Sequence, residues 1–259
     1  MRILAYCVLL LSLIACHKPS PPNTLIIGTI AGPETALVET AKEIAKNKYH
    51  LNIKIVTFND YNLPNEALQD GSLDANVYQH VPYLNAAIKA HGYPFEAIGR
   101  TFVYPVGIYS KKHTSLKQLP EGAVIAIPND PSNEMRALQL LEKANLITLK
   151  NTHDTGLKDI ATNPQKLQFK EMDAAQLPRV LPDVDAAVIN TTFALPAGLS
   201  PSQDSLLSED KDSPYANVIV IRKDSPKKAN LELFVKAFNS PEVKEKAKTI
   251  FGDAAIPAW

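Results

Sequence analysis

The sequence predicts an α/β protein of two hinged lobes with a ligand cleft between them. Three observations lead there. Strand-like and helix-like runs alternate from Leu25 to the C-terminus, which argues for α/β layers with ligands near the C-terminal ends of strands. The 259 residues are enough for one large α/β domain or two modest lobes. Extended passages near Tyr104 and near Tyr215 can each carry the chain from one lobe to the other. Two crossings make a hinge of a few residues, a common way to close on a small solute.

The N-terminus is an export segment. Met1 and Arg2 form a short basic region, Ile3 to Ile14 is an apolar run too short to span a bilayer comfortably, and Leu13-Ile14-Ala15-Cys16 closes it. This resembles a bacterial lipoprotein signal, which implies cleavage before Cys16 and lipid on its sulfur and new amino group. Several acyl chains together anchor stably where one does not. The alternative is an uncleaved membrane anchor. Residues 1–15 are therefore read as signal, and 16–23 as the lipidated cysteine with a proline-bearing tether. The protein is expected on a membrane of the cell envelope, facing the periplasm in a Gram-negative host. Cleavage also removes Cys7, so the mature chain has no cysteine pair for a disulfide and no thiol for catalysis or a metal.

The elements follow in order. Leu25 to Ile30 is a strand, and Gly32-Pro33 opens a helix with Ala36, Leu37, Thr40, Ala41 and Ile44 on one face. Asn52 to Phe58 is the next strand and Asn62 to Gln69 the next helix, stopped by Gly71. A strand at Asp74 to Tyr78, a helix at Val81 to Ala90 and a long extended passage from Ala97 to Ser110 follow. Further strands are expected at Val124 to Ile127, Leu167 to Met172, Ala186 to Ile189 and Val218 to Arg222. Helices are expected at Ser132 to Ala144, Ala174 to Leu181 and Thr191 to Leu195. Asn151 to Pro164 reads as irregular with at most a short helix. The tail, Lys227 to Ser240 and Glu242 to Phe251, forms two helices separated by Pro241. On this reading 24–105 with 221–259 make one lobe and 106–220 the other.

Composition narrows the function. Lysine plus arginine and aspartate plus glutamate both total 27, and loss of Arg2 with the signal leaves 26 against 27, so no field favours nucleic acid. No P-loop, Gly-x-Gly-x-x-Gly, Gly-x-Ser-x-Gly or His-Glu-x-x-His motif is present, and nothing points to an enzyme or a cofactor. His80, His91, His113 and His153 are scattered, without metal-ligand spacing.

Binding residues are more promising. Asn129 to Arg136 is a strand-to-helix turn, where unpaired N–H groups and the helix dipole favour an anion and Asp130 or Ser132 can cap. Asn133 and Arg136 share a face and can meet one small ligand. The alternative for Arg136 is an ordinary ion pair with a carboxylate of the chain. Tyr61, Tyr78, His80 and Tyr83 lie at strand ends and can wall an apolar side chain, a thioether gaining from sulfur–ring contacts, or can simply pack. Asn190 and Asn217 can both donate to a carboxylate and accept from an ammonium, as a zwitterion needs, or bond their own turns.

In order along the chain, Thr57-Phe-Asn-Asp-Tyr61, Leu63-Pro-Asn-Glu-Ala-Leu68, Asp74-Ala-Asn76, Gln79-His-Val-Pro-Tyr83, Thr101-Phe-Val-Tyr-Pro105, Pro128-Asn-Asp130, Ala187-Val-Ile-Asn-Thr-Thr192 and Ser213-Pro-Tyr-Ala-Asn217 resemble the methionine-binding lipoprotein (NlpA-type) family. The resemblance runs from Cys16 to Trp259. It implies a two-lobed periplasmic-binding-protein fold (type II-like) that captures L-methionine and delivers it to an ABC permease and its ATPase. It implies that Arg136 takes the ligand carboxylate beside Asn133, that Asn190 and Asn217 bond the head group, and that Tyr61, Tyr78, His80 and Tyr83 line the side-chain pocket. Family members often carry phenylalanine where this chain has Tyr78. A monomer anchored through Cys16, without cofactor, metal or nucleic-acid partner, is expected. The alternatives are the same fold with a methionine dipeptide, D-methionine or another apolar amino acid, or a surface adhesin or structural lipoprotein.

Overall fold

The computed structural model describes residues 23–150, 156–210 and 212–259; the signal, Cys16, the tether as far as residue 22 and His153 lie outside the described residues. The first lobe opens with β1 (Thr24–Ile30), α1 (Pro33–Tyr49), β2 (Asn52–Phe58), α2 (Leu63–Gln69), β3 (Ala75–His80), α3 (Val81–His91) and β4 (Phe95–Val103). The second contains β5 (Gly107–Tyr109), β6 (Val124–Pro128), α4 (Pro131–Lys143), β7 (Thr148–Leu149), β8 (Ile160–Thr162), β9 (Gln168–Met172), α5 (Leu177–Val180), β10 (Ala186–Ile189), α6 (Thr191–Ala194) and β11 (Leu207–Ser208). The chain then returns for β12 (Ala216–Arg222), α7 (Lys228–Phe238), α8 (Pro241–Phe251) and β13 (Ile256–Pro257).

Each lobe has its own sheet. The first is six-stranded in the order β13-β4-β12-β3-β1-β2, and the second five-stranded in the order β11-β5-β10-β6-β9. β1 runs parallel to β2 and β3, and β6 runs parallel to β9 and β10, so the turns after these strands gather at one end of each sheet. β1 and β3 are almost wholly buried; β1 is mainly apolar, whereas β3 buries Asn76 and Gln79, whose side-chain amides bond Asn65 and each other. β12 lies antiparallel between β3 and β4, a returning strand held inside the first sheet.

Two crossings join the lobes, Tyr104-Pro105-Val106 after β4 and Glu209 to Tyr215 before β12. The sequence placed the second return at 220/221. That boundary falls inside β12, all of which pairs in the first sheet, so the crossing belongs before Ala216.

Two expectations need local correction. The buried stripe of α1 is Leu37, Val38, Ala41, Ile44 and Ala45, with Ala36 and Thr40 only half-buried. It is turned because α1 packs on α7 and α8 as well as on the sheet. The expected helix Ala174 to Leu181 is a 3₁₀ turn (Ala174–Gln176) followed by α5, with Pro178 in the first turn. In the described part of the irregular stretch, a 3₁₀ turn (Leu157–Asp159) leads into β8, which pairs with β7.

Among the described residues two apolar clusters fill the first lobe and one the second, and a fourth bridges them. It joins Ile30, Tyr61 and Tyr78 of the first lobe to Tyr109, Ala126, Leu177, Ile189 and Leu199 of the second, so the lobes are closed on each other.

Candidate ligand-binding site

The bridging cluster floors a cleft whose walls are strand ends. β2 runs out toward Tyr61, β3 ends in Tyr78, Gln79 and His80, β6 leads to α4, β10 is followed by Asn190, Thr191 and Thr192, and Asn217 lies near the start of β12. The cleft holds about 350 Å³ of space between atoms, its opening to solvent included. Tyr61, Tyr78, His80, Tyr83, Asn133, Arg136, Asn190 and Asn217 all line it. Gln79, Tyr104, Thr191 and Thr192 complete the lining.

Aromatic rings form one end. The Tyr61 ring lies 5.8 Å from that of Tyr78, 6.1 Å from that of Tyr83 and 4.8 Å from that of Phe193, mostly in tilted or edge arrangements that rings favour. The Tyr83 hydroxyl donates to the Tyr61 carbonyl at 2.8 Å, which fixes both. Burial, first of all, pushes the Tyr61, Tyr78 and Tyr83 hydroxyls upward, so these rings stay neutral.

His80 ends β3 and caps α3. Its Nδ1 accepts from the Tyr83 N–H at 3.2 Å, which places the proton on Nε2, where the ring meets Asn133 Oδ1 at 3.3 Å. Burial, followed by the nearby Arg136 charge, pushes the imidazole down to about 3. It is a neutral ring.

The turn into α4 is filled from within. Asp130 caps the helix, accepting from the Asn133 N–H at 3.0 Å, and it also accepts from the Asn133 side-chain amide and the Ser132 hydroxyl. The positive end of α4 is therefore answered by the chain's own carboxylate. Burial raises the Asp130 carboxyl, against the lowering effect of these bonds. Asn133 is committed on both sides, because its Oδ1 also accepts from Asn190 Nδ2 at 2.9 Å. It joins His80 of one lobe to Asn190 of the other. The Asn190 Oδ1, by contrast, is buried and accepts no hydrogen bond among the described residues. Asn217 donates to the Tyr78 carbonyl at 3.1 Å, holding β12 against the end of β3.

Arg136 is 4% exposed and belongs to an ion pair. Its Nε donates to Glu209 Oε1 at 2.7 Å and its Nη2 to Glu209 Oε2 at 2.5 Å. Nη2 also donates to the Tyr104 carbonyl at 2.9 Å, and the guanidinium lies over the Tyr215 ring, 4.4 Å from its centre. One side chain of the second lobe thus grips both crossings. The sequence showed Arg136 and its helix face; it gave no local sign of Glu209, Tyr104 or Tyr215 as partners.

A second residue outside the sequence reading is Glu34. It lies in the first turn of α1, buried, and accepts from the Thr192 hydroxyl at 2.6 Å across the lobes. Burial raises its carboxyl to about 7 despite that bond. Among the described residues, no group of three or more His, Cys, Asp or Glu side chains is arranged to hold a metal, and no helix is long and apolar enough to cross a membrane.

Comparison with known proteins agrees with this architecture. D-methionine-binding lipoprotein MetQ of Salmonella typhimurium is 47% identical over 256 residues, covering 96% of this chain and 94% of that protein. The structure of an ABC transporter periplasmic substrate-binding protein from Coxiella burnetii superposes with a TM-score of 0.88 at 59% identity, covering 90% of this chain and 100% of that one. A nutrient-binding protein from Burkholderia cenocepacia, solved bound to methionine, superposes with a TM-score of 0.87 at 49% identity, covering 91% and 100%. The sequence profile of the NlpA lipoprotein family matches residues 25–259, nearly all of the described chain, and the protein belongs to that family.

Proposed function

We propose that this protein captures methionine reversibly between its closing lobes and delivers it to an ABC importer, made of a permease and its ATPase. The observation that carries the reading is the cleft itself, in which a neutral aromatic cage meets Arg136 and an Asn190 Oδ1 that has no partner among the described residues. The methionine-bound relative from Burkholderia cenocepacia supports the ligand class.

In this reading the thioether lies among Tyr61, Tyr78, His80 and Tyr83, where sulfur–ring contacts favour it. The ligand carboxylate meets Arg136, and the ammonium donates to Asn190 Oδ1 with Asn217 alongside. Asn133 has its polar atoms committed and acts by holding His80 and Asn190 in place. Capture and release need no covalent step. Lipid on Cys16 keeps a monomer at the membrane, within reach of the permease.

Calorimetric titration of refolded, ligand-free protein with L-methionine, D-methionine, glycyl-methionine and other apolar amino acids tests this. Methionine is expected to bind with a clear thermal shift. No heat and no shift with any of them overturns the reading. D-methionine is included because the Salmonella relative bears its name.

A further inference from the structure

The side chain of Arg136 is a partition between two cavities. The cleft lies on one side. On the other a larger hollow, about 730 Å³ including its open mouth, is lined by Arg136, Gln139, Lys143, Glu209 and Tyr215. Glu209 faces that hollow and does not line the cleft, so it acts on Arg136 from behind.

Three of the five guanidinium N–H groups are used by the chain itself, through Nε and Nη2 to Glu209 and through Nη2 to the Tyr104 carbonyl. No hydrogen bond among the described residues uses Nη1. The Glu209 carboxylate is in turn firmly seated. It also accepts from the Val106 N–H at 3.2 Å and the Ser213 hydroxyl at 3.3 Å, while the Glu209 N–H donates to the Val106 carbonyl at 2.9 Å. Its side chain is 12% exposed, so water screens the pair little.

We infer that Glu209 is a specificity-determining residue: from behind Arg136 it cancels the guanidinium charge and occupies its fork, so the cleft takes net-neutral zwitterionic amino acids in preference to net-anionic, N-acylated ones. This rests on the reading of Arg136 as the ligand's carboxylate partner. A ligand carboxylate then finds a single nitrogen, Nη1, where an unpaired arginine presents a two-pronged fork. An N-acylated amino acid brings a negative charge with no ammonium to balance it, and it approaches a guanidinium already neutralised. A zwitterion carries its own balance. His80 adds no charge at neutral pH, and Asp130 is directed to the start of α4.

The test compares methionine with N-acetylmethionine on the full refolded protein and on Glu209→Gln, which keeps an acceptor for Arg136 Nε and removes the charge. The ratio of the two dissociation constants is expected to move toward N-acetylmethionine by roughly tenfold or more in the variant, as loss of one charge a few ångströms away requires. An unchanged ratio, equal weakening of both ligands, or no measurable binding of N-acetylmethionine to the variant overturns the inference. Should Glu209→Gln not fold, the wild type decides through salt. Its affinity for N-acetylmethionine is expected to change little between about 10 and about 300 mM salt, and a steep fall overturns the proposal. Failure of the wild type to bind methionine, or full binding by Arg136→Ala, strikes instead at the underlying reading.

Discussion

Glu34 and Thr192 meet across the cleft, the threonine hydroxyl of one lobe donating to the glutamate carboxylate of the other at 2.6 Å. The carboxyl has no counter-charge large enough to offset its burial, and its pKa stands at about 7 against a usual value of 4.5. A group raised in the closed protein favours the protonated form there. Its contribution to closure is fully present below about 4.5 and is lost as pH rises through about 7. Tyr61 and Tyr104, which face it, are themselves pushed upward by burial and stay neutral across that range. Thermal stability of the wild type relative to Glu34→Gln is therefore expected to fall between pH 5 and pH 8, read as the difference between two melting curves. A difference that is flat with pH rejects the assignment.

Arg136→Lys keeps a charge but cannot reach Glu209, Tyr104 and Tyr215 together. Loss of most methionine binding is expected, with a fall in stability of about 3 kcal/mol from leaving Glu209 without its fork. Calorimetry and denaturant melts read the two effects separately. A lysine variant with native affinity contradicts the assigned role.

His80 is expected to remain neutral, with its proton on Nε2, throughout the range in which histidines ordinarily titrate, and to charge only near pH 3. Carbon and nitrogen chemical shifts of the ring, followed by NMR titration, check this. A midpoint near 6.5 shows that the ring is solvated and that the cleft is open in solution.

Tyr78→Phe is expected to leave methionine affinity within about threefold, because the hydroxyl is not assigned to the thioether and ring packing carries the contact. Tyr78→Ala removes that packing and is expected to cost about 3–5 kcal/mol of stability. Paired titrations and melts separate ring from hydroxyl. A large loss in the phenylalanine variant reveals a polar role for the tyrosine.

Long apolar runs made much of the fold legible. β2 and β10 occupy the stretches expected of them, Asn52–Phe58 and Ala186–Ile189, because β2 sets Ile53 and Ile55 alternately with Asn52 and Lys54 and β10 is a short buried apolar run. The hairpin β7–β8 and the two-residue strands β11 and β13 are too short to show any periodicity. The polar residues of the cleft could be read because they follow strand ends, and the family resemblance gathered them. Glu209 was out of reach for a different reason. It stands 73 residues from Arg136 in a polar connection, and nothing local distinguishes it from a solvated surface charge. Glu34 likewise depends on Thr192, 158 residues away.

The place of β12 between β3 and β4 sets an order of events as the chain acquires its structure. The second lobe is one unbroken piece of chain from β5 to β11, so its strands can pair as soon as they are available. The first sheet lacks its middle until Ala216–Arg222 arrives, and the bond from Asn217 to Tyr78 closes a separation of 139 residues. Closing so long a loop is entropically slower than pairing neighbours. The lobe that begins the chain is thus the last to be finished, and pulse-labelled hydrogen exchange during refolding is expected to protect the amides of β6 and β10 before those of β3 and β12.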